Sequence, residues 1–373
     1  MISKPINRCH FGDCRTILRA LRHAGVQAQT VVTSPPYWGL RDYGVPPSDW
    51  PAVTFVPAAG LPAITVPAWT GCLGLEPDPW SFVGHLVAVF RRVREVLAED
   101  GTVWLNLGDG YAQRRGGDPR PGFNSRYVGR EYRGKTGVFP LMSRVSAGLK
   151  PKDLAGAPWR VALALQADGW YLRQDIIWHK PNPMPESVSD RCTKAHEYVF
   201  LLSKAERYRF DPAAIREPAS DNTHPRQAGN GYKTPGGWDT SVGEGGHGSF
   251  HRKGRERGRK LAPREADGWR VKNNESMNDA LAVMPATRNK RSVWTVTSEP
   301  FSGAHFSTFP TRLIEPCILA GSRAGDIVLD PFLGSGTTAE VAERLARRWI
   351  GIELNAEYRS LQRERVRQPG LAL

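Results

Sequence analysis

Apolar and polar residues follow two different periods along this chain, and the two periods predict helices and short strands. Residues 81–97 repeat apolar side chains at helical spacing, at Phe82, Leu86, Val89, Phe90, Val93 and Leu97. Residues 29–33, 102–107, 170–178, 327–329 and 349–352 are short apolar runs that are typical of strands. The pattern therefore predicts an α/β chain, in which the residues directly after each strand are the candidates for chemistry.

The strand at 29–33 ends at a short loop, Ser34-Pro35-Pro36-Tyr37, whose groups suit an amine on a flat base. The Ser34 hydroxyl and the Pro35 carbonyl can each accept an N–H bond, which favours a pyramidal nitrogen with an available lone pair. Consecutive prolines fix φ and carry no N–H, so Pro35 and Pro36 hold that carbonyl in one orientation. Tyr37 can stack on a base that has left the duplex. A plain polyproline turn is the alternative for this motif alone.

A second motif begins at Asp330, where the strand at 327–329 ends in the loop Asp-Pro-Phe-Leu-Gly-Ser-Gly-Thr-Thr. A helix is predicted over 337–346, and the next strand ends at Glu353, about twenty positions beyond the loop, where a carboxylate can bind ribose hydroxyls. The loop contains neither Gly-Lys-Ser/Thr nor G-x-G-x-x-G, so a cofactor with ribose and adenine but no phosphate fits best. That cofactor is S-adenosyl-L-methionine, with S-adenosyl-L-homocysteine as product. A plain glycine turn is the alternative.

In this order, the two motifs resemble those of the amino-methylating DNA methyltransferases whose catalytic half precedes the cofactor half. The resemblance covers roughly residues 5–210 and 293–362. It implies a Rossmann-like, doubly wound, mostly parallel α/β sheet with an inserted target-recognition region. The implied division is a catalytic half over 1–211 with a basic insertion at 111–150, a target-recognition region over 212–292, and a cofactor half over 293–373.

The resemblance also implies roles for individual residues. The catalytic residues would be Ser34, Pro35, Pro36 and Tyr37. The cofactor-binding residues would be Asp13, Phe309, Asp330, Pro331, Phe332, Gly334, Ser335, Gly336, Thr337 and Glu353. Within this set Asp13 would contact the adenine amino group, and a helix N-cap is its alternative role. Phe309 belongs to a segment expected over the methionine end of the cofactor, for which a capped core helix is the alternative.

The chain carries a net charge of +14 and a sequence pI near 9.8, which points to a polyanion, here double-stranded DNA. The candidate DNA-binding residues are Arg114, Arg115, Lys180, Arg252, Lys253, Arg255, Arg257, Arg259 and Lys260. We expect the run at 251–260 to contact phosphates, and the flanks at 232–238 and 269–278 to read bases. Lys180 follows a predicted strand and in the family lies beside the flipped base.

Several other classes of protein are disfavoured. No apolar stretch is long enough to span a bilayer and no signal peptide is evident, which favours the cytoplasm. The five cysteines are scattered, with neither a disulfide framework nor zinc spacing, so no metal is expected. Oligomeric state, the recognised DNA site and a cognate restriction endonuclease are left open.

The first residue of the catalytic loop bears on the target base. Adenine-N6 enzymes of this family mostly carry Asp or Asn there, whereas Ser34 resembles the cytosine-N4 enzymes. The sequence therefore predicts N4 methylation of cytosine, with N6 methylation of adenine as the alternative. An RNA base methyltransferase and a catalytically silent DNA-binding protein are further alternatives. The proline-rich, apolar segment 45–79 is predicted to be a packed insertion, with a flap over the extruded base as the other possibility.

Overall fold

The computed structural model describes residues 5–112, 148–219, 287–298 and 309–367. Its helices are α1 (Cys14–His23), α2 (Pro79–Val96), α3 (Ala157–Ala167), α4 (Thr311–Gly321), α5 (Thr337–Arg344) and α6 (Arg359–Arg367), with 3₁₀ turns at Ala213–Ile215 and Ala356–Tyr358. Its strands are β1 (Arg8–Phe11), β2 (Ala28–Thr33), β3 (Ser48–Trp50), β4 (Val53–Phe55), β5 (Ile64–Val66), β6 (Trp69–Gly71), β7 (Leu97–Leu107), β8 (Tyr171–His179), β9 (His196–Ser203), β10 (Glu217–Pro218), β11 (Thr287–Arg288), β12 (Val293–Thr295), β13 (Ile327–Asp330) and β14 (Arg348–Glu353).

Eight of these strands form one sheet in the order β1-β14-β13-β2-β7-β9-β8-β12. Adjacent strands of this sheet are parallel, except that β9 is antiparallel to both of its neighbours, β7 and β8. Because β1, β14, β13 and β2 are parallel, their carboxyl ends meet at one edge of the sheet, where open α/β folds bind ligands. The mostly parallel, doubly wound fold predicted from the sequence is confirmed.

Helices cover both faces of this sheet. Successive residues of a strand point to opposite faces, so a strand covered on both sides buries every residue. Val31 packs with α1, α2 and α3, whereas Val32, the next residue of β2, packs with α4 and α5. Both side chains are almost fully buried. The continuous apolar runs of the sequence therefore belong to strands with a hydrophobic layer on each side.

Among the predicted helices, two boundaries differ from the observed ones by two residues. The helix predicted from residue 81 begins at Pro79, because Asp78 caps it by accepting hydrogen bonds from the amides of Trp80 (2.8 Å) and Ser81 (3.0 Å). The helix predicted to reach residue 346 ends at Arg344, and Ala346 adopts a left-handed φ of 58° that stops it.

The segment 45–79 is packed against the core, as predicted. It forms two antiparallel pairs, β3 with β6 and β4 with β5. Trp50, Val53, Phe55 and Val66 are each at most 5% exposed and join the core that contains α2. Part of this segment also reaches the residue directly after the Ser34–Tyr37 loop, because the Trp38 indole donates to the Glu76 carbonyl (3.0 Å).

The chain divides into two compact units, residues 1–215 with 289–373, and residues 216–288. Within the described part of the second unit, β10 pairs with β11 in antiparallel fashion, and Arg288 forms a 2.9 Å ion pair with Glu217. The three-part division at 211 and 292 stays a prediction.

Candidate active site

A cavity lies at the carboxyl edge of the sheet, and residues from both sequence motifs line it. The sequence-predicted residues on its wall are Asp13, Ser34, Pro35, Pro36, Tyr37, Phe309, Pro331, Phe332, Gly334, Ser335, Thr337 and Glu353. Others on the wall were not predicted and include Arg41, Tyr43, Trp50, Cys72, Leu73 and Tyr358. Trp50, Cys72 and Leu73 come from the packed segment 45–79, whose sequence carries no chemical motif that marks them.

The catalytic loop begins where β2 ends, and its tyrosine hydroxyl is held by three polar groups. Tyr37 Oη lies 2.7 Å from Glu197 Oε2 and 2.9 Å from Asn106 Oδ1, and it accepts a 3.2 Å hydrogen bond from Ser34 Oγ. Burial, and next the negative charge of Glu197, raise the pKa of Tyr37 well above its usual range. The phenol therefore stays protonated and its ring has a defined orientation.

The backbone at Gly108 approaches the ring of Tyr37 closely. The Tyr37 ring lies against Gly108, where a Cβ atom would come within 2.6 Å of Tyr37 Cε2. Real Cβ atoms essentially never approach that closely, so a side chain at residue 108 would displace the ring. The observed position of the Tyr37 ring therefore requires glycine at residue 108, which the sequence motif does not include.

Asp330 is not among the residues on the cavity wall, and its contact with the cofactor stays a prediction. Its buried carboxylate accepts hydrogen bonds from the hydroxyls of Thr33 and Thr338, both at 2.6 Å, and from the Phe332 amide at 3.0 Å. Burial raises the pKa of Asp330 to about 6, while these three donors act in the opposite direction. Through these contacts Asp330 holds the loop after β2 and the loop after β13 together.

The Glu353 carboxylate, in contrast, faces the cavity from the end of β14. Its Oε2 accepts from the Gly334 amide and its Oε1 from the Asn355 amide, both at 2.8 Å. Burial raises the pKa of Glu353, and the two amides counteract that effect. Each oxygen retains a further lone pair, which is what a pair of ribose hydroxyls requires.

Side chains of α6 hold the glycine-rich loop, residues 330–338, in place. Gln362 Nε2 donates to the Gly334 carbonyl at 2.7 Å, and Arg365 donates to the hydroxyls of Ser335 (2.5 Å) and Thr337 (2.8 Å). Gly336, predicted as a cofactor contact, is not on the cavity wall either. It caps α5 with a left-handed φ of 95°, a conformation that favours glycine.

Asp13 serves as the N-cap of α1 and also lies on the cavity wall, while its contact with adenine stays a prediction. Its Oδ1 accepts from the Arg15 amide at 2.8 Å, and its carboxylate forms a 2.5 Å ion pair with the Arg15 guanidinium. Burial alone raises the pKa of Asp13, but the hydrogen bonds and charge of Arg15 outweigh it and the pKa is lowered. Asp13 is therefore an ionised acceptor at neutral pH.

The predicted DNA-binding residues divide into two groups. Lys180 is described, and its ammonium pairs with Glu197 and lies 4.2 Å from the centre of the Trp178 ring. Arg114, Arg115, Arg252, Lys253, Arg255, Arg257, Arg259 and Lys260 lie outside the described residues. Glu197 itself was missed by sequence reasoning, although an acidic residue directly before the apolar run of β9 is a signal that could have found it.

The residues on the wall fit an adenosine-bearing cofactor without a phosphate. Glu353 and Asp13 present carboxylate acceptors, and Phe309 and Phe332 present apolar surface for the rest of the molecule. Among the residues that the structure describes, no cluster of His, Cys, Asp and Glu could hold a metal ion. In that same part of the chain no helix is long and apolar enough to cross a membrane.

Comparisons with known proteins identify the family. The N6/N4 methyltransferase model, described as DNA methylase, matches residues 28–364. Type II methyltransferase M.XycI of Xanthomonas campestris pv. cyanopsidis is 39% identical over 95% of this chain and 86% of its own length. Type II methyltransferase M.SmaI of Serratia marcescens is 38% identical over 95% of this chain and 91% of its own length.

Solved structures agree at the level of the fold. The PvuII DNA methyltransferase, titled cytosine-N4-specific, superposes with a TM-score of 0.51 at 18% identity, covering 96% of this chain and 85% of that one. A putative DNA modification methylase from Thermus thermophilus, solved with S-adenosyl-L-methionine, gives a TM-score of 0.50 at 21% identity, covering 98% and 95%. The match of the family model along most of the chain, together with its relatives and the cavity described above, shows that this chain belongs to the N6/N4 family of S-adenosylmethionine-dependent DNA methyltransferases.

Proposed function

We propose that the chain methylates the N4 amine of a cytosine that has been flipped out of duplex DNA. The observation that carries the proposal is that Ser34 and Glu353, from opposite ends of the chain, line one cavity. Ser34 is the first residue of the catalytic loop and is small and neutral, which suits an amine on a single ring. The choice of cytosine over adenine rests on this residue.

The cofactor would occupy the part of the cavity between α1 and the glycine-rich loop. We assign the ribose hydroxyls to Glu353 and the adenine amino group to Asp13, because both residues line the cavity and carry carboxylate acceptors. Phe309, Pro331 and Phe332 supply apolar surface, while Gly334, Ser335 and Thr337 form the loop against which the cofactor lies. When bound, the cofactor supplies an electrophilic methyl group.

The residues of the catalytic loop would activate the amine. The Ser34 hydroxyl and the Pro35 carbonyl accept its two N–H bonds, which localises the nitrogen lone pair towards the methyl group. Tyr37 stacks on the extruded base, and its anchored hydroxyl keeps the ring in place. Catalysis by this loop therefore rests on orientation and on hydrogen bonds that strengthen as charge develops on nitrogen.

The duplex, apart from the flipped base, is held outside the cavity in this proposal. Lys180 and the basic residues at 114–115 and 252–260 are assigned to DNA, with the 251–260 run on phosphates. Relatives named Type II methyltransferases support a role in restriction-modification, with a cognate endonuclease as partner. Methylation of adenine at N6 is the second candidate, because the matched family model spans both chemistries.

The experiment is methyl transfer from labelled S-adenosylmethionine to duplex DNA and, in parallel, to transfer RNA. The proposal expects label in DNA, none in transfer RNA, and a strong reduction in single-turnover rate for Ser34→Ala at nearly unchanged DNA affinity. Label in transfer RNA alone would identify an RNA base methyltransferase. DNA binding without any transfer would identify a catalytically silent binding protein.

A further inference from the structure

The hydrogen bonds between Ser34, Tyr37 and Glu197 have directions that the surrounding groups determine. Tyr37 Oη lies within hydrogen-bond distance of two atoms that only accept, Asn106 Oδ1 at 2.9 Å and Glu197 Oε2 at 2.7 Å. The phenol has a single proton, which must point to one of these two acceptors. Its lone pairs are then left to accept, so the 3.2 Å hydrogen bond between Ser34 and Tyr37 runs from the serine to the tyrosine.

Two further contacts keep the acceptors facing Tyr37. Asn106 Nδ2 donates to the Tyr198 carbonyl at 3.1 Å and to Glu197 Oε2 at 3.2 Å, which orients the amide with its oxygen towards the phenol. The ammonium of Lys180 pairs with the other carboxylate oxygen of Glu197, at side-chain exposures of 22% and 16%. Because Lys180 occupies Oε1, the other oxygen, Oε2, is the one that accepts from the phenol.

Resting on the proposed function, we infer that Glu197 is a positioning residue that makes Ser34 a pure hydrogen-bond acceptor towards the cavity, and that it thereby selects an amine over a carbonyl at the reacting position. The only hydroxyl proton of Ser34 is directed at Tyr37, so lone pairs face an incoming base. The cytosine amine presents N–H donors to them. Uracil and thymine present an oxygen at the same position, which would meet a lone pair with no proton between them.

The test replaces Glu197 with glutamine and measures two quantities on duplexes that carry the site found by mapping methylated DNA. The side-chain amide introduced by Glu197→Gln can donate to the Tyr37 oxygen, so the phenol proton is no longer confined to its present acceptors. We expect the single-turnover rate to fall roughly ten- to a hundredfold for Glu197→Gln while cofactor affinity is unchanged. We also expect the binding preference for a target cytosine over a target uracil to fall roughly tenfold.

Cytosine and uracil differ in how easily they flip out of the duplex. This difference is the same for the wild type and Glu197→Gln, so it cancels when their preferences for cytosine over uracil are compared. Glu99→Gln is the matched control, because Glu99 also pairs with a lysine, Lys204 at 2.8 Å, but lies at the opposite end of β7 from Asn106. It should leave both quantities unchanged. If Glu197→Gln does not fold, Tyr37→Phe retains the carboxylate but breaks the link to Ser34, and it should lower the same preference.

Each outcome separates the inference from the proposed function. A slower Glu197→Gln enzyme with an unaltered preference for cytosine would mean that the residue has only a structural role, and the inference would be wrong. An unchanged rate and preference would also overturn it while leaving DNA methylation intact. A wild-type enzyme that transfers no methyl group to DNA would overturn both.

Discussion

Thr33 donates a 2.6 Å hydrogen bond to Asp330, and this contact joins the strand that carries the catalytic loop to the strand that begins the glycine-rich loop. The two strands, β2 and β13, are also neighbours in the sheet, with Val31 in register with Leu329. Thr338 binds the second carboxylate oxygen at 2.6 Å, so the start of α5 is tied to the same point. The buried carboxylate thus sets the separation between the group that would activate the base and the loop that would hold the methyl donor.

The first prediction concerns the pH dependence of stability. The pKa of Asp330 is raised by burial to about 6 from an ordinary value of 3.8, so the folded state binds this proton more tightly than the unfolded state. Stability from this group is therefore fully present below about pH 4 and is lost as pH rises through about 6, by roughly 3 kcal/mol in total.

Urea unfolding of the wild type and Asp330→Asn between pH 4 and 8 measures this effect. Relative to the wild type, the variant should gain stability as pH rises through this interval, because asparagine does not ionise. Parallel curves for the two proteins would contradict the raised pKa.

The second prediction separates the two carboxylates of the cofactor half. Glu353→Gln should weaken binding of S-adenosylmethionine by a few kcal/mol, because hydrogen bonds to a charged group are worth about 1.5–3 kcal/mol each. Asp330→Asn should weaken it less, since Asp330 does not lie on the cavity wall. Titration calorimetry provides both affinities, with Glu357→Gln, an exposed residue of the 3₁₀ turn at Ala356–Tyr358, as control. Equal losses for the two variants would contradict the assignment.

The third prediction concerns the support of the glycine-rich loop by α6. Gln362→Leu removes the 2.7 Å hydrogen bond to the Gly334 carbonyl while it retains the volume of the side chain. A loop that is less well held should raise the KM for the cofactor roughly fivefold, in keeping with the loss of about 1 kcal/mol for one hydrogen bond. DNA affinity should not change. Steady-state kinetics with each substrate varied in turn separates these effects. A change in the KM for DNA alone would show that α6 does not support the cofactor loop.

The fourth prediction concerns the basic run at 251–260, which lies outside the described residues. Replacing Arg252, Lys253, Arg255 and Arg257 with glutamine should reduce the slope of log affinity against log salt by about 0.9 for each lost phosphate contact. Sequence preference should persist, because phosphate contacts carry little sequence information. An altered recognition site at an unchanged salt slope would mean that the run reads bases.

The elements that sequence predicted well are those whose signal is local. The runs at 29–33 and 327–329 became β2 and β13, because apolar stretches of that length followed directly by a motif have few other uses in an α/β fold. The catalytic loop and Glu353 were located for the same reason. Their roles stay proposals, but their meeting at one cavity is a fact of the structure.

What sequence missed depends on long-range packing. Asp330 was expected to contact the cofactor, and the sequence did not indicate that its carboxylate accepts a hydrogen bond from Thr33, almost three hundred residues earlier. Similarly, the sequence alone suggests that Tyr37→Phe is nearly neutral, since stacking needs only the ring. The contacts of the hydroxyl with Glu197 and Asn106 come from β9 and β7, and with them we expect the substitution to reduce activity.

The central claim is that the enzyme methylates cytosine at N4, and nucleoside mass spectrometry of DNA treated with the wild-type enzyme and labelled cofactor tests it most directly. Ser34→Ala serves as the control, because loss of its acceptor should slow formation of the modified nucleoside without changing which nucleoside is formed. The account predicts labelled N4-methyldeoxycytidine. Labelled N6-methyldeoxyadenosine with no N4-methyldeoxycytidine would contradict it.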